Sequence, residues 1–369
     1  MKHSAAIAHF RQLCCLGVDT QAAMPSLLKA LHGLVGSNAN SFYWAAHNGE
    51  ITNVYMEQLM PKDIAACFFK EFINNKTRAF SALDLRSYMP KDRVVGNSAK
   101  VFPKSFQNSD VYNLIWRPQS RKHLLWARVR DAQGRANGLT LSRLAGEAPF
   151  SDKDEQLLTQ LVPYLAHALN ARPVTPAQLV DGGESAVLLV NRDGEIEHES
   201  AEARRLLLLA VHARVAPGAV DWRGDSVIAE VLRALFERID ALGAGRTSAP
   251  PVIELHNPWG KFLLRAYSME SSIPSGTGLV VIQIERHIPL KLKLMDAMQL
   301  LPLSAKQKEV CLLLTEGLSY TSIADRLAVR PNTVVDHVRK IYDKLDVRSH
   351  HELLRGLVQG SQARSQVHH

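Results

Sequence analysis

The chain has 369 residues, more than one hydrophobic core supports, so two or three domains are expected. Hydrophobic residues at 46% and charged residues at 22% exclude a disordered chain, and no apolar run reaches the roughly 18 residues of a spanning helix. The formal charge of +8 suits a polyanionic partner without identifying one; the N-terminus has no signal-peptide order, so a cytoplasmic protein without a membrane partner is expected.

Taken in chain order, Met24, Leu27, Leu28, Leu31, Leu34 and Val35 recur at helical spacing. Strand-like runs at Ser41 to Ala46 and Ile51 to Met56 flank the turn signal His47-Asn48-Gly49, which predicts a hairpin. Ile64 to Phe72 reads as helix, and Leu85 to Ser120 as loops or short elements around a site. Two more strands, Leu124 to Arg130 and Asn137 to Arg143, precede a long helix that starts at Ser151. There Ser151 and Asp154 form a cap, Leu157, Leu158, Leu161, Leu165 and Leu169 share a face, and Pro163 should introduce a bend.

Pro173 to Gly183, rich in Pro and Gly, predicts a linker. Ala186 to Val190 and Glu195 to His198 read as a second hairpin around Asn191-Arg192-Asp193-Gly194, leading into a helix over Ala201 to Leu209. Val252 to Leu255, Lys261 to Tyr267 and Gly278 to Glu285 supply three later strands. Leu290, Leu294, Met298 and Leu301 then form a stripe, either docked on the second sheet or exposed as a dimer seam.

These two stretches have recognisable element orders. Helix, hairpin, helix, loops, hairpin and closing helix over roughly 20 to 172 resembles a GAF domain; 184 to 286 resembles a PAS domain. Both resemblances imply α+β sensor modules whose small-molecule effector is left unassigned. Trp44, Trp116 and Trp126 are candidates to line a GAF pocket, with core packing as the alternative.

At the C-terminal end Ser304 is a natural helix cap, and Val310, Leu313 and Leu314 give a buried face that stops at Glu316-Gly317. A second helix follows Leu318-Ser319 and runs to Leu327, with Ile323, small Ala324 and Leu327 inward. Val329-Arg330-Pro331-Asn332 reads as a turn, and a third helix runs from about Thr333 to Leu345. Its Val334, Val338, Ile341 and Leu345 repeat inward. That repeat turns Asn332, Asp336, Arg339, Lys340 and Asp343 outward, with Val335, His337 and Lys344 on the flanks.

Bulk charge does not single out this segment, since nine basic residues stand against seven acidic ones between 303 and 360. Placement does. An exposed helix face with Arg, Asp and an apolar methyl can read guanine, cytosine and thymine edges in a major groove.

Leu303-Ser304, Glu309-Val310, Gly317-Leu318-Ser319, Ile323-Ala324, Leu327, Thr333-Val334, His337, Ile341, Lys344-Leu345 and Val347-Arg348-Ser349 together resemble the LuxR-type (NarL/FixJ-type) helix-turn-helix. The resemblance implies an all-α four-helix domain that binds double-stranded DNA as a homodimer. Arg339, Val335 and Asp336 are then the candidate base readers, with Lys340, Lys344 and Thr333 as backbone contacts and His337 at the edge. Leu294, Met298, Leu353 and Leu354 are candidate dimer contacts, and RNA polymerase is a further candidate partner. The departures are Val335 where Lys or Arg is usual, Gln307 and Ser322 where Glu is usual, and Arg330 where Ser is usual.

The expected organisation is an N-terminal helix with a GAF-like domain over 1–172 and a linker over 173–183. A PAS-like domain over 184–286, a connecting helix over 287–302, the helix-turn-helix over 303–360 and a disordered tail over 361–369 follow. The function expected is transcriptional regulation by a sensor-controlled DNA-binding protein. Two alternatives are a sensor region that binds proteins only, and an acyl-homoserine-lactone receptor, which has a single sensor domain. An enzyme is not expected. No phosphate-binding loop, nucleophile elbow or metal spacing occurs, and Cys14, Cys15, Cys67 and Cys311 fit neither a zinc site nor a disulfide framework, so no cofactor or metal is assigned.

Overall fold

The computed structural model describes residues 2–68, 71, 93–171, 178–216, 219, 225–246, 249–270 and 278–365. Helices α1 (Lys2–Cys14) and α2 (Thr20–Val35) come first, and α2 is capped by Asp19 and closed by Gly36 at φ +64°. Strands β1 (Ala39–Ala45) and β2 (Ile51–Met56) form the expected hairpin, followed by the short helix α3 (Lys62–Cys67). The remainder of the predicted 64–72 helix lies largely outside the described residues, as does the first part of the Leu85 to Ser120 stretch.

Short elements occupy the described part of that stretch: β3 (Val95–Asn97), α4 (Ser98–Val101) and a run of single turns to Gln119. β4 (Arg121–Arg130), β5 (Ala136–Leu144) and α5 (Asp152–Leu169) complete the first unit, in the order β2-β1-β5-β4-β3. β3 was not legible as a strand because its core is Gly96. A Cβ there would sit 2.5 Å from the Trp126 ring, so glycine lets the indole lie against the strand. The Ser151–Asp154 capping box forms as expected, and α5 is assigned as one helix across Pro163.

The second unit comprises β6 (Leu179–Val190), β7 (Ile196–Glu199), α6 (Ala201–Val211), α7 (Ser226–Gly243), β8 (Val252–Asn257), β9 (Gly260–Met269) and β10 (Leu279–Pro289). Its order β7-β6-β10-β9-β8 repeats that of the first sheet, a structural repeat with no counterpart in the sequence. β6 begins inside the predicted linker. The Gly-Gly signal there serves a close approach instead, since a Cβ on Gly182 would meet the Arg286 carbonyl oxygen at 2.9 Å, beside a register shift in β10. Helix α7 carries Ile228, Leu232 and Leu235 inward behind an Asp225 cap, a periodic signal that the strand-centred reading passed over.

The two sheet units share one junction. Arg286, 1% exposed, donates to Glu184 Oε2 at 2.6 Å, to the Trp259 carbonyl at 2.7 Å and to the Ala22 carbonyl of α2 at 3.0 Å. Arg205 adds bonds to Glu184 and to the Tyr55 hydroxyl. Burial pushes the Glu184 carboxyl up, but the two guanidiniums outweigh it and hold it below the usual carboxylate range. Around this centre Trp259 packs edge-on against Trp44 at 5.6 Å and tilted against Tyr55 at 5.8 Å.

Pro289 ends β10, and α8 (Leu290–Ala297) with a 3₁₀ turn at Met298–Leu300 connects to the last domain. Of the two readings of its stripe, the docked one describes this arrangement: Leu294 and Met298 are fully buried within the protomer. Half-buried Asp296 accepts a hydrogen bond from Ser26 of α2 at 2.7 Å. Burial raises its carboxyl to about 6, against the partial relief from Ser26 and Lys29.

Two outcomes follow from the junction. Arg286→Ala leaves the buried Trp259 carbonyl without its two guanidinium bonds, frees Ala22, and removes one of the cations on Glu184. It should cost about 3 kcal/mol or more in urea unfolding, and a change below about 1 kcal/mol would refute its role. For Asp296, a folded value above the unfolded one contributes stability that is full below pH 3.8 and lost as pH rises through about 6. Asp296→Asn should therefore remove a loss on the order of 3 kcal/mol between pH 4 and 6.5, flattening the melting profile there.

Candidate nucleic-acid interface

Four helices build the last domain. α9 (Ala305–Thr315) starts with a capping box in which Ser304 and Gln307 bond reciprocally, so glutamine performs the backward bond otherwise made by glutamate. It ends at Glu316, with Gly317 at φ +75° turning the chain. α10 (Tyr320–Leu327) is capped by Ser319 and ends at Ala328 in the left-handed region.

α11 (Pro331–Leu345) begins two residues before the expected start. Pro331 and Asn332 form its first turn and not the preceding loop, because proline's fixed φ and missing N–H suit the first helical position. Asp346 at φ +50° ends it, and α12 (His350–Ser365) runs past the expected boundary at 360; residues 366–369 of the predicted tail lie outside the described residues.

The core of the domain fixes how α11 is turned. Val334, Val338 and Ile341 are buried against Ile323, Ala324 and Val310, and Leu345 is half-buried. Thr333, Val335, Asp336, Arg339, Lys340 and Asp343 are consequently exposed on one face, with His337 half-buried at its edge. Val335 is 47% exposed, a large apolar side chain held in water. Among the described residues, neither Arg339 nor Lys340 has an ion-pair partner. Arg330, at the cap position, makes no side-chain cap, so the first-turn amides of α11 have no side-chain acceptor there.

Lys344 differs from its neighbours. Its ammonium donates to the Pro302 carbonyl at 2.8 Å and to Gln307 Oε1 at 2.9 Å, stapling the end of α11 to the start of α9. The helical spacing placed it at the flank but could not show that acceptors wait there.

The side of the domain away from this face docks on the preceding units. Gln12 of α1 donates to the Ala305 carbonyl at 2.6 Å, and Lys291 of α8 pairs with Glu316 at 2.7 Å. His9 is buried at this seam beside Lys308; burial and then the Lys308 charge lower its imidazole to about 4. Leu353 and Leu357 of α12 are also buried, and Leu354 is half-buried, with α12 running against α8 and β6. The four candidate dimer residues thus face intramolecular neighbours in this arrangement.

The three tryptophans separate into two groups. Trp116 and Trp126 both pack on Phe102, at 5.7 and 5.5 Å, with Phe106 against Trp116. Trp44 lies instead at the junction between the units, between Phe42 and Trp259.

If Lys344 is a staple, Lys344→Ala should lower domain stability by about 1 kcal/mol, whereas Lys340→Ala should stay within about 0.5 kcal/mol. Thermal unfolding of both variants checks this; equal melting curves would remove the distinction. Among known families, residues 301–357 match the bacterial regulatory proteins of the luxR family. No curated protein matches the chain.

Proposed function

We propose that this chain, whose residues 301–357 form a LuxR-family helix-turn-helix domain, is a transcription regulator that reads double-stranded DNA through α11 as a homodimer. The observation that carries the reading is the orientation of α11. Its apolar stripe is spent on the domain core, and the opposite face presents Thr333, Val335, Asp336, Arg339 and Lys340 to solvent.

A face of this shape enters a major groove, where Arg339 can pair with guanine O6 and N7 through two guanidinium N–H groups. Asp336 can accept from cytosine N4, and the Val335 methyls suit a thymine methyl. Lys340, Thr333 and the first-turn amides of α11 meet phosphates, the last aided by the positive end of the helix dipole. Lys344, already bonded twice within the domain, supports the position of α11 and is a weaker candidate for phosphate contact. A basic residue at position 335 would add a long-range attraction to DNA; Val335 gives that up for an apolar contact.

The two sheet units act, in this proposal, as GAF-like and PAS-like sensors whose effector shifts the DNA-binding population. An effector does so only through unequal affinity for the two states. The acyl-homoserine-lactone reading rests on a single sensor unit, and two five-stranded sheets precede the domain here.

Fluorescence anisotropy on an operator selected from random DNA tests the reading. Arg339→Ala should cost about 1–3 kcal/mol and relax preference at one base pair, and Lys340→Ala should weaken all sequences alike and lower the salt slope by about 1. Unchanged affinity and salt dependence in both variants would overturn the assignment of α11.

A further inference from the structure

The second sheet is covered on one face only. Along β9 and β10 the burial alternates residue by residue, with Phe262, Leu264, Ala266, Val280, Ile282 and Ile284 buried on the side of α6 and α7. Side chains between them point the other way, where charged and polar residues are the rule for a sheet face in water. Here the register brings apolar residues together instead. Leu189 of β6 stands opposite Val281 of β10, Val281 opposite Tyr267 of β9, and Leu279 opposite Met269, with Val187 two residues along β6.

The result is an apolar strip across three adjacent strands in which Val187, Tyr267 and Met269 are 48%, 49% and 52% exposed. Isolated exposed apolar residues need no explanation, but a contiguous strip on a sheet face marks a contact surface.

The charges beside the strip indicate what it meets. Arg265 pairs with Glu285 at 2.6 Å and Lys261 with Glu254 at 3.1 Å, both pairs within the sheet. Both signs are thus already neutralised in place, and a partner need bring no compensating charge. A surface of the same composition fits, because a two-fold axis near the central strand β10 would set this strip against its own copy in an aligned sheet-on-sheet packing. Leu294 and Met298 of the α8 region and Leu353 of α12 are buried within the protomer and are not available for such a contact.

We infer that the outward strip of Val187, Leu189, Val281, Tyr267 and Met269 is the face through which two copies of this chain associate. The inference rests on the proposal that the regulator binds DNA as a homodimer, and it locates the contact on the second sheet and not on α8 or α12.

Sedimentation velocity on the full chain tests it. The wild type should sediment as a dimer, and Tyr267→Glu and Val187→Glu should each weaken self-association about tenfold or more with unchanged thermal unfolding. Should either variant lose its fold, Tyr267→Cys in a Cys15→Ser background decides, because the face places the two new thiols near each other and oxidation should yield a covalent dimer. A wild type that stays monomeric, folded glutamate variants that stay dimeric, or a failure of the cysteine variant to cross-link overturns the inference. Arg339→Ala separates the two readings: its dimer should persist while DNA binding falls. A dimer formed through this face that ignores DNA would defeat the DNA-binding proposal and leave the face standing.

Discussion

A single buried guanidinium sets the relation of the parts. Arg286 enters from β10, and in one side chain it satisfies a carboxylate of β6, the carbonyl that precedes β9 and a carbonyl of α2. A charge at this depth is tolerable only when its donors are used: the partners Glu184 and Trp259 lie in the second unit, and the bond to Ala22 ties α2 to that ion pair. Trp259, whose carbonyl takes two of these bonds, is in turn the ring that Trp44 and Tyr55 pack on. The two sheet units meet at this junction, and α8 is tied to α2 through Ser26 and Asp296.

How much of this was legible in the sequence depended on the range of the interaction. The helix-turn-helix was readable almost residue by residue, because caps, left-handed stops and the 3.6-residue repeat are local. Even the shift of Pro331 to the head of α11 is a local rule applied to the wrong side of a boundary. Both sheets were legible as sets of strands, with ends misplaced by a few residues. The equality of their strand orders was not, since topology depends on which strands pair and nothing in one sequence records that. Helix α7 carried its own signal and was missed; β3 carried almost none, its central residue being a glycine kept small by Trp126.

Among candidate site residues the division is similar. The outward set on α11 follows from periodicity alone and is exposed as a set. Lys344 shows the limit, because its acceptors are the Pro302 carbonyl and the Gln307 side chain, on another element and more than thirty residues earlier in the chain. The apolar stripe on α8 was equally ambiguous by pattern, as any helix stripe can bury against its own chain or another. Its neighbours in α2 and β6 come from distant parts of the sequence.

The docking of the last domain by its back has a consequence for signalling. A reading face that already looks outward cannot be switched on by uncovering it. Under the proposed function, a signal received by the sheets would act on the separation and angle between two such faces. Double-helical DNA repeats its major groove about every 34 Å, so small rotations at α8, magnified over the length of the domain, would bring the pair of helices into or out of phase with that period. Control would then be a matter of pitch matching, with the DNA itself as the ruler.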